Sequence, residues 1–354
     1  MSSYNIYGGT PKKTLDLMRF FKEKSVLYVY HNTYPELKEI FEKTGGKIYE
    51  GFYGRNLFLH VKKLLEIIDK ENISIVQTQF TMGETLGFFI KMLRPNVKLI
   101  NAFVGPFKPN KIKSLLLNIF YDKVDMFVYI SKYVQSEKVK QFNVLQSKPS
   151  KIIFNGTKKR IDDGSNIPKL KNFSIIDVAR LTEWKNISVL IDAINIIVNE
   201  KKVLDINLYV AGDGPQKKEL ENLVSFYNLS SYVFLLGQQS NIGKLLDNCD
   251  VFVHPSYAEG FGIVIPEAMF AEKPIIVSNA GALPELIEHE KTGLVVNPHS
   301  PQEWANSILR LMNNRSFSNL IAANALKKAR LDFSFEKYVE NYDCLYKEII
   351  KSSK

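Results

Sequence analysis

Two glutamates stand at the ends of a short glycine-containing stretch, Glu259-Gly260-Phe261-Gly262-Ile263-Val264-Ile265-Pro266-Glu267. Ahead of it, Val251-Phe252-Val253 reads as a buried strand. Behind it, an apolar helical pattern carries Pro266 near its start, where the missing N–H would have had no partner. The reading is strand, glycine loop, helix N-terminus, which offers backbone N–H groups and a positive dipole end to an anion. A carboxylate on each side can accept hydrogen bonds from sugar hydroxyls. A phosphate in the turn with hydroxyls on its flanks suits a nucleotide-sugar, and Gly260, Phe261, Gly262, Ile263 and Glu267 are the candidate contacts.

A second chemical group lies in Val178-Ala179-Arg180-Leu181-Thr182-Glu183-Trp184-Lys185-Asn186. This segment leaves the first strand of the chain's second half, at the carboxyl end, where an open α/β sheet binds ligand. Two cations there match a diphosphate: Arg180 offers a planar fork and Lys185 a point charge. Ala211-Gly212-Asp213-Gly214-Pro215 reads as strand, turn and helix start, which taken alone is a generic turn. Gly8-Gly9-Thr10-Pro11 permits unusual backbone angles, supplies a helix cap and fits a first helical turn. Leu15, Leu17, Met18, Phe20 and Phe21 then give that helix a buried face. Residues 1–7, ahead of it, show no clear strand pattern. His254, at a strand end, and His60, inside a helical pattern, read as structural histidines.

These groups need a scaffold, and the periodicity supplies one. Strands are expected at 25–30, 73–78, 97–103, 125–130 and 151–156, with helical patterns at 35–44, 57–70 and 83–93. Residues 158–171 turn polar, with Asp162-Asp163-Gly164-Ser165 and Pro168, and read as a linker. The alternation then restarts: strands at 173–179, 204–211, 233–236 and 251–253, with helices at 186–199, 216–227 and 241–247. Strands alternating with helices imply parallel sheets covered on both faces, here in two α/β, Rossmann-like domains. An amphipathic helix over 335–350 closes the chain.

The S-Y-A-E-G-F-G-x3-P-E-A-M stretch resembles the donor-site signature of the retaining glycosyltransferases of family 4, also called group 1. The Arg180 and Lys185 segment is similar to that family's G-R-L-x3-K-G pattern, with Ala179 and Asn186 where glycine is usual. Asn279-Ala280-Gly281-Ala282-Leu283-Pro284-Glu285 and Thr292-Gly293-Leu294-Val295 follow it as well. The resemblance covers 173–313 strongly and 1–157 weakly. It implies the B-type glycosyltransferase architecture, two Rossmann-like domains facing across a cleft. Residues 1–157 would bind the acceptor, 158–171 link, 172–333 bind the nucleotide-sugar, and 334–354 cross back to the first domain. It implies that Gly8 and Gly9 face the donor diphosphate, that Gly212 stands near the nucleotide, and that the strand exit at Gly237 meets the base through backbone groups. Glu267 would take the ribose hydroxyls and Glu259 the transferred sugar. Arg180 and Lys185 would neutralise the leaving diphosphate, an electrostatic role that is commonly the largest catalytic term. The leaving phosphate would accept the acceptor's proton. A histidine that family members often carry at the end of strand 97–103 is replaced by Phe103, Val104 and Gly105. The chain contains no D-x-D, so neither a metal nor another cofactor is expected.

Composition narrows the setting. Of 354 residues, 45% are hydrophobic and 24% charged, ordinary for a folded protein of two domains. Cys249 and Cys344 form no metal or redox pair, and no stretch reads as a membrane span or a signal-peptide core. Residues 1–160 hold 27 basic and 13 acidic side chains, a net of +14, whereas residues 161–354 net −4. The first half therefore meets something anionic. Lys108, Lys111 and Lys113 precede Leu115-Leu116-Leu117-Asn118-Ile119-Phe120-Tyr121. Such a helix serves either as a core helix with a lysine-rich start or as one lying in a membrane interface. No nucleic-acid recognition motif accompanies the basic half.

The resulting expectation is a metal-independent, retaining hexosyltransferase. It would move a sugar from a UDP- or GDP-linked donor to a lipid-linked or polysaccharide acceptor in bacterial surface polysaccharide synthesis, such as lipopolysaccharide or capsule. It would work in the cytoplasm, peripheral to the anionic inner face of the membrane. The alternatives are a nucleotide-sugar-binding protein without transferase activity, and an epimerase or phosphorylase on the same fold. The absence of an acid/base pair counts against the epimerase.

Overall fold

The computed structural model describes residues 9–30 and 35–351. The chain divides into two compact units, one formed by Met1–Gly156 with Phe335–Lys354, the other by Thr157–Ser334.

In the first unit, β1 (Val26–Val29) pairs with β2 (Lys47–Glu50), and β3 (Ile75–Thr78), β4 (Lys98–Phe103), β5 (Met126–Tyr129) and β6 (Ser150–Ile152) form a second sheet in that order. All these pairings are parallel. Strands covered on both faces need apolar side chains throughout, and every residue of β5 is buried. The sequence pattern missed β2, whose Lys47 is exposed and whose other three residues are only half-buried. The helix Phe335–Lys351 belongs to this unit. Its Tyr338, Val339, Tyr342, Leu345 and Ile349 pack on Leu17, Ile100, Met126 and Val128. At roughly 1.5–3 kcal/mol for each fully buried large side chain, that face is ample to anchor a closing helix. His60 is structural: its Nδ1 lies 2.7 Å from the Tyr28 hydroxyl and its Nε2 3.1 Å from the Gly54 carbonyl.

The second unit is one six-stranded parallel sheet. Its strands are β7 (Phe173–Val178), β8 (Ile206–Ala211), β9 (Val233–Gly237), β10 (Val251–His254), β11 (Ile275–Ser278) and β12 (Leu294–Val296), in the order β12-β11-β10-β7-β8-β9. Its core joins β7, β8 and β10 to the helix Ile187–Asn195 and to the fully buried Trp304 of the helix Pro301–Asn313. The Trp304 indole N–H donates to the Asn297 carbonyl at 3.1 Å, so the largest core side chain leaves no polar group unpaired. Among the described residues, no helix is long and apolar enough to cross a membrane.

Candidate functional site

In the second unit, β7 lies between β8 and β10, and the order of the chain through the sheet reverses there. Ligands of open α/β sheets bind in the crevice that such a reversal opens at the carboxyl ends of the strands. The segments leaving β7, β8 and β9 are joined by backbone: Leu181 N–H donates to Asp213 C=O at 3.0 Å and Gly212 N–H to Gly237 C=O at 2.8 Å. Gly212 has φ +149°, and a Cβ there would sit 1.8 Å from the Ala179 carbonyl oxygen. Glycine is required by close approach, so this turn, generic in sequence, is fixed in place.

Asn186 shows why the usual glycine can be absent. Its φ is +54°, in the left-handed region that asparagine tolerates better than most side chains. Its side-chain amide donates to the carbonyls of Pro255 at 3.3 Å and Pro298 at 2.8 Å. The residue thus ties the Lys185 segment to the end of β10. Tyr257 N–H completes the tie by donating to Trp184 C=O at 2.8 Å.

Those ties bring the chemistry together. The Lys185 ammonium pairs with the Glu259 carboxylate. It also lies 3.4 Å from Nε2 of His254, which is itself 3.3 Å from Glu259 and 3.0 Å from the Ser256 hydroxyl. On its other side, His254 Nδ1 is 3.0 Å from Asp177, a fully buried residue of β7 whose second oxygen has no hydrogen-bond partner among the described residues. Burial works to raise the Glu259 carboxyl, but the Lys185 and His254 charges overcome it and hold it at about 2. Burial and Lys185 both push the His254 imidazole down. The carboxylates of Asp177 and Glu259 outweigh them and raise it above the ordinary histidine value. His254 is therefore the satisfied strand-end histidine of the sequence reading, and it also orients Glu259 and Lys185. Neither Asp177 nor Ser256 was singled out in sequence, although an aspartate directly after Ile175-Ile176 was a usable signal.

Glu267 is buried in the first turn of the helix Val264–Phe270. A group unforeseen in the sequence meets it: the Arg160 guanidinium, with Nε 2.8 Å from the carboxylate. Arg160 comes from the polar stretch read as a linker. Its backbone lies close against Gly243, where a Cβ would come within 2.9 Å of the Arg160 carbonyl. Arg180, by contrast, points its side chain to solvent. The ring of Phe261 is buried edge-on against Phe333 at 5.8 Å between centroids. Only its backbone remains for a ligand. Gly260, Gly262 and Ile263 are half-buried in the loop, and Gly237, with φ +68°, ends β9 beside Gly212.

In the first unit, Gly8 lies outside the described residues, and Gly9 opens the helix Gly9–Phe21. Lys108 and Lys113 are exposed, and Lys111 begins the helix Lys111–Asp122.

The parallel sheets and helices of the two units are those of the B-type glycosyltransferase fold. The family described as glycosyl transferases group 1 matches residues 158–328, nearly the whole second unit. The chain is 27% identical over 307 residues to an uncharacterized glycosyltransferase of Methanocaldococcus jannaschii, covering 84% of this chain and 82% of that one. Among solved structures, Anabaena Alr3699/HepE in complex with UDP superposes with TM-score 0.83 at 19% identity, over 96% of both chains. The lipopolysaccharide outer core galactosyltransferase WaaB does so with TM-score 0.77 at 13% identity, over 98% of both chains.

Proposed function

We propose that the chain is a retaining glycosyltransferase of family 4 that moves a sugar, without a metal, from a UDP- or GDP-linked donor to a lipid-linked or polysaccharide acceptor at the cytoplasmic face of a membrane. The observation that carries this is the meeting of Lys185, Glu259 and His254 at the carboxyl ends of β7 and β10. In this reading Lys185 and Arg180 take the diphosphate, and Gly212, Gly237 and the 260–263 loop offer backbone to the nucleotide. Glu267, held by Arg160, takes the ribose hydroxyls. Glu259 stays ionised across the physiological range and accepts from the transferred sugar. HepE has been crystallised with UDP-glucose, which makes UDP-glucose the first donor to try, and WaaB's role fits a surface polysaccharide acceptor.

The test is turnover of UDP- and GDP-sugars with product analysis. Glu267→Gln should raise the donor KM, since weakening a charged hydrogen bond costs about 1.5–3 kcal/mol. Glu259→Gln should lower kcat more than donor affinity. EDTA should leave activity intact. Binding without turnover, an epimerised sugar, or activity lost in EDTA and restored by Mn²⁺ each overturns its part of the reading.

The membrane part rests on side chains of the first unit. Leu115, Leu116 and Ile119 are 68%, 48% and 53% exposed along one helix, and Phe107 just before it is 75% exposed. An apolar ridge beside exposed lysines fits an anionic lipid surface, where each lysine contributes about 1 kcal/mol. Sedimentation with anionic vesicles should show binding that weakens as salt rises. Changing Lys108, Lys111 and Lys113 together to Glu should release the protein while leaving nucleotide binding intact. A wild type that ignores such vesicles at low salt ends the membrane reading.

A further inference from the structure

Lys185 and Glu259 serve different parts of a donor in the proposed reaction, yet they hold each other in the structure. A doubly charged diphosphate draws the ammonium toward itself, and Glu259 then loses its nearest cation. A largely covered carboxylate keeps its charge and its aim only if another donor replaces the one that leaves.

That donor is already adjacent. His254 Nε2 has three neighbours: the Lys185 ammonium at 3.4 Å, the Glu259 carboxylate at 3.3 Å and the Ser256 hydroxyl at 3.0 Å. Unprotonated, the nitrogen accepts from Lys185 or Ser256. Protonated, it donates to Glu259 or Ser256 and repels the ammonium. The ring's other nitrogen faces Asp177 at 3.0 Å. Asp177 is fully buried on β7, opposite Val210 of β8, and its second oxygen has no hydrogen-bond partner among the described residues. A buried carboxylate with a single partner is a poor device for stability, and such a place suits an apolar side chain better. What Asp177 supplies is negative charge beside the imidazole.

We propose that Asp177 and His254 form a positioning pair that releases Lys185: as the ammonium turns to the diphosphate, Nε2 takes a proton from solvent and holds Glu259 in its place. The inference rests on the assignment of Lys185 to the diphosphate. No covalent bond forms or breaks; one proton moves. The sign of the pH dependence follows from the groups that face the ring. Burial and Lys185 oppose its charge, whereas Asp177 on β7 and Glu259 in the loop after β10 favour it and prevail. Ser256 is neutral, Ser278 of β11 turns its hydroxyl to the Ser256 carbonyl, and the Phe252 ring lies along the imidazole at 6.3 Å. Drawing Lys185 away removes an opposing charge, so the ring binds its proton more tightly with the donor present. By reciprocity the donor binds the protonated form more tightly. Its affinity therefore falls as pH rises through the His254 titration, above the ordinary histidine value.

Calorimetric titration with UDP-glucose and with GDP-glucose between about pH 6 and 9 tests this, because the diphosphate of a nucleotide-sugar does not itself titrate there. Wild-type affinity should fall about threefold to tenfold across the alkaline part of that range, with proton uptake read as a binding heat that varies with the buffer's heat of ionisation. Asp177→Asn keeps the shape and removes the charge. Its affinity at neutral pH should drop about threefold to tenfold, and its pH profile should move down by about one unit or more. Asp177→Asn combined with His254→Gln puts two amides in place of the pair, and its profile should be flat. Melting temperatures are taken on each chain. An Asp177→Asn protein that melts lower but keeps the wild-type profile reduces Asp177 to a structural role and overturns the inference. A wild type that binds a donor with a flat profile and no proton uptake overturns it too, and this measurement decides even where neither variant folds. Binding of neither donor ends the assignment of Lys185 to a diphosphate and the inference with it. Binding with the expected profile but without turnover supports the inference and ends only the transfer reaction.

Discussion

Replacing Lys185 by alanine should lower nucleotide-sugar turnover on the order of 100-fold or more, the scale seen when a group that stabilises developing charge is removed. Lys185 is the cation that the fold presses into the cluster, whereas Arg180 points to solvent. The variant should nevertheless fold, because Glu259 keeps His254 Nε2 as a neighbour at 3.3 Å and Asp177 still holds that imidazole at 3.0 Å. The loss should therefore fall on kcat with little change in melting temperature at neutral pH. Acid separates the two proteins further. The folded Glu259 carboxyl titrates at about 2 against an ordinary 4.5, so the stability it contributes is present above about pH 4.5 and disappears as pH falls toward 2. Without Lys185 the burial cost is less well opposed, and the variant should begin to lose stability at a higher pH than the wild type. Melting curves between pH 7 and 3 and turnover at pH 7 read both effects. Turnover within threefold of the wild type would remove Lys185 from the chemistry.

The division between what was legible in the sequence and what was not follows the range of the interactions. Glu259, Lys185 and the glycine turn could be read because each lies within a few residues of a strand end. A strand leaving a parallel sheet delivers its next residues to one edge whatever the remote packing. Asn186 was legible as a departure from glycine, and its φ of +54° gives the reason. Phe261 stands at the expected position, yet its ring turns inward because Phe333, distant in sequence, offers a buried aromatic partner. Local spacing locates the backbone there but does not aim the side chain. Arg160 was hidden for the same reason. It lies in a polar stretch without periodicity, and its place on Glu267 depends on packing against Gly243. In the first unit β2 escaped notice because a half-buried four-residue strand carries too few apolar positions to show a period. The exposed ridge of Leu115, Leu116 and Ile119 was open to two readings in sequence, since an apolar arc has the same spacing whether a core or a membrane covers it.

Gly212→Ala should do more damage than any other single methyl added at these turns. The new Cβ would lie 1.8 Å from the Ala179 carbonyl oxygen and 2.9 Å from its carbon, both backbone atoms. Neither side can yield cheaply. Ala179 N–H donates to Ala211 C=O at 3.1 Å, Leu181 N–H to Asp213 C=O at 3.0 Å, and Gly212 N–H to Gly237 C=O at 2.8 Å, so the clash sits inside a closed backbone ladder. Relief requires parting the ends of β7 and β8, which belongs with the exceptional substitutions costing about 4 kcal/mol or more. For a unit of this size that corresponds to a fall of roughly 10 °C in melting temperature. The same parting moves Arg180 and Lys185, so turnover of the protein that remains folded should drop about a hundredfold through misplacement alone. Gly237→Ala is the control. Gly237 also has a positive φ, +68°, but nothing lies within 4 Å of its missing Cβ. It should cost only about 1–2 kcal/mol of backbone strain and leave the Lys185 segment in place. Scanning calorimetry of the two variants, with turnover measured below both transitions, compares them directly. Equal melting shifts would mean that the contact with Ala179 gives way more easily than its hydrogen bonds imply, and that the loop bearing Lys185 is not held by this ladder.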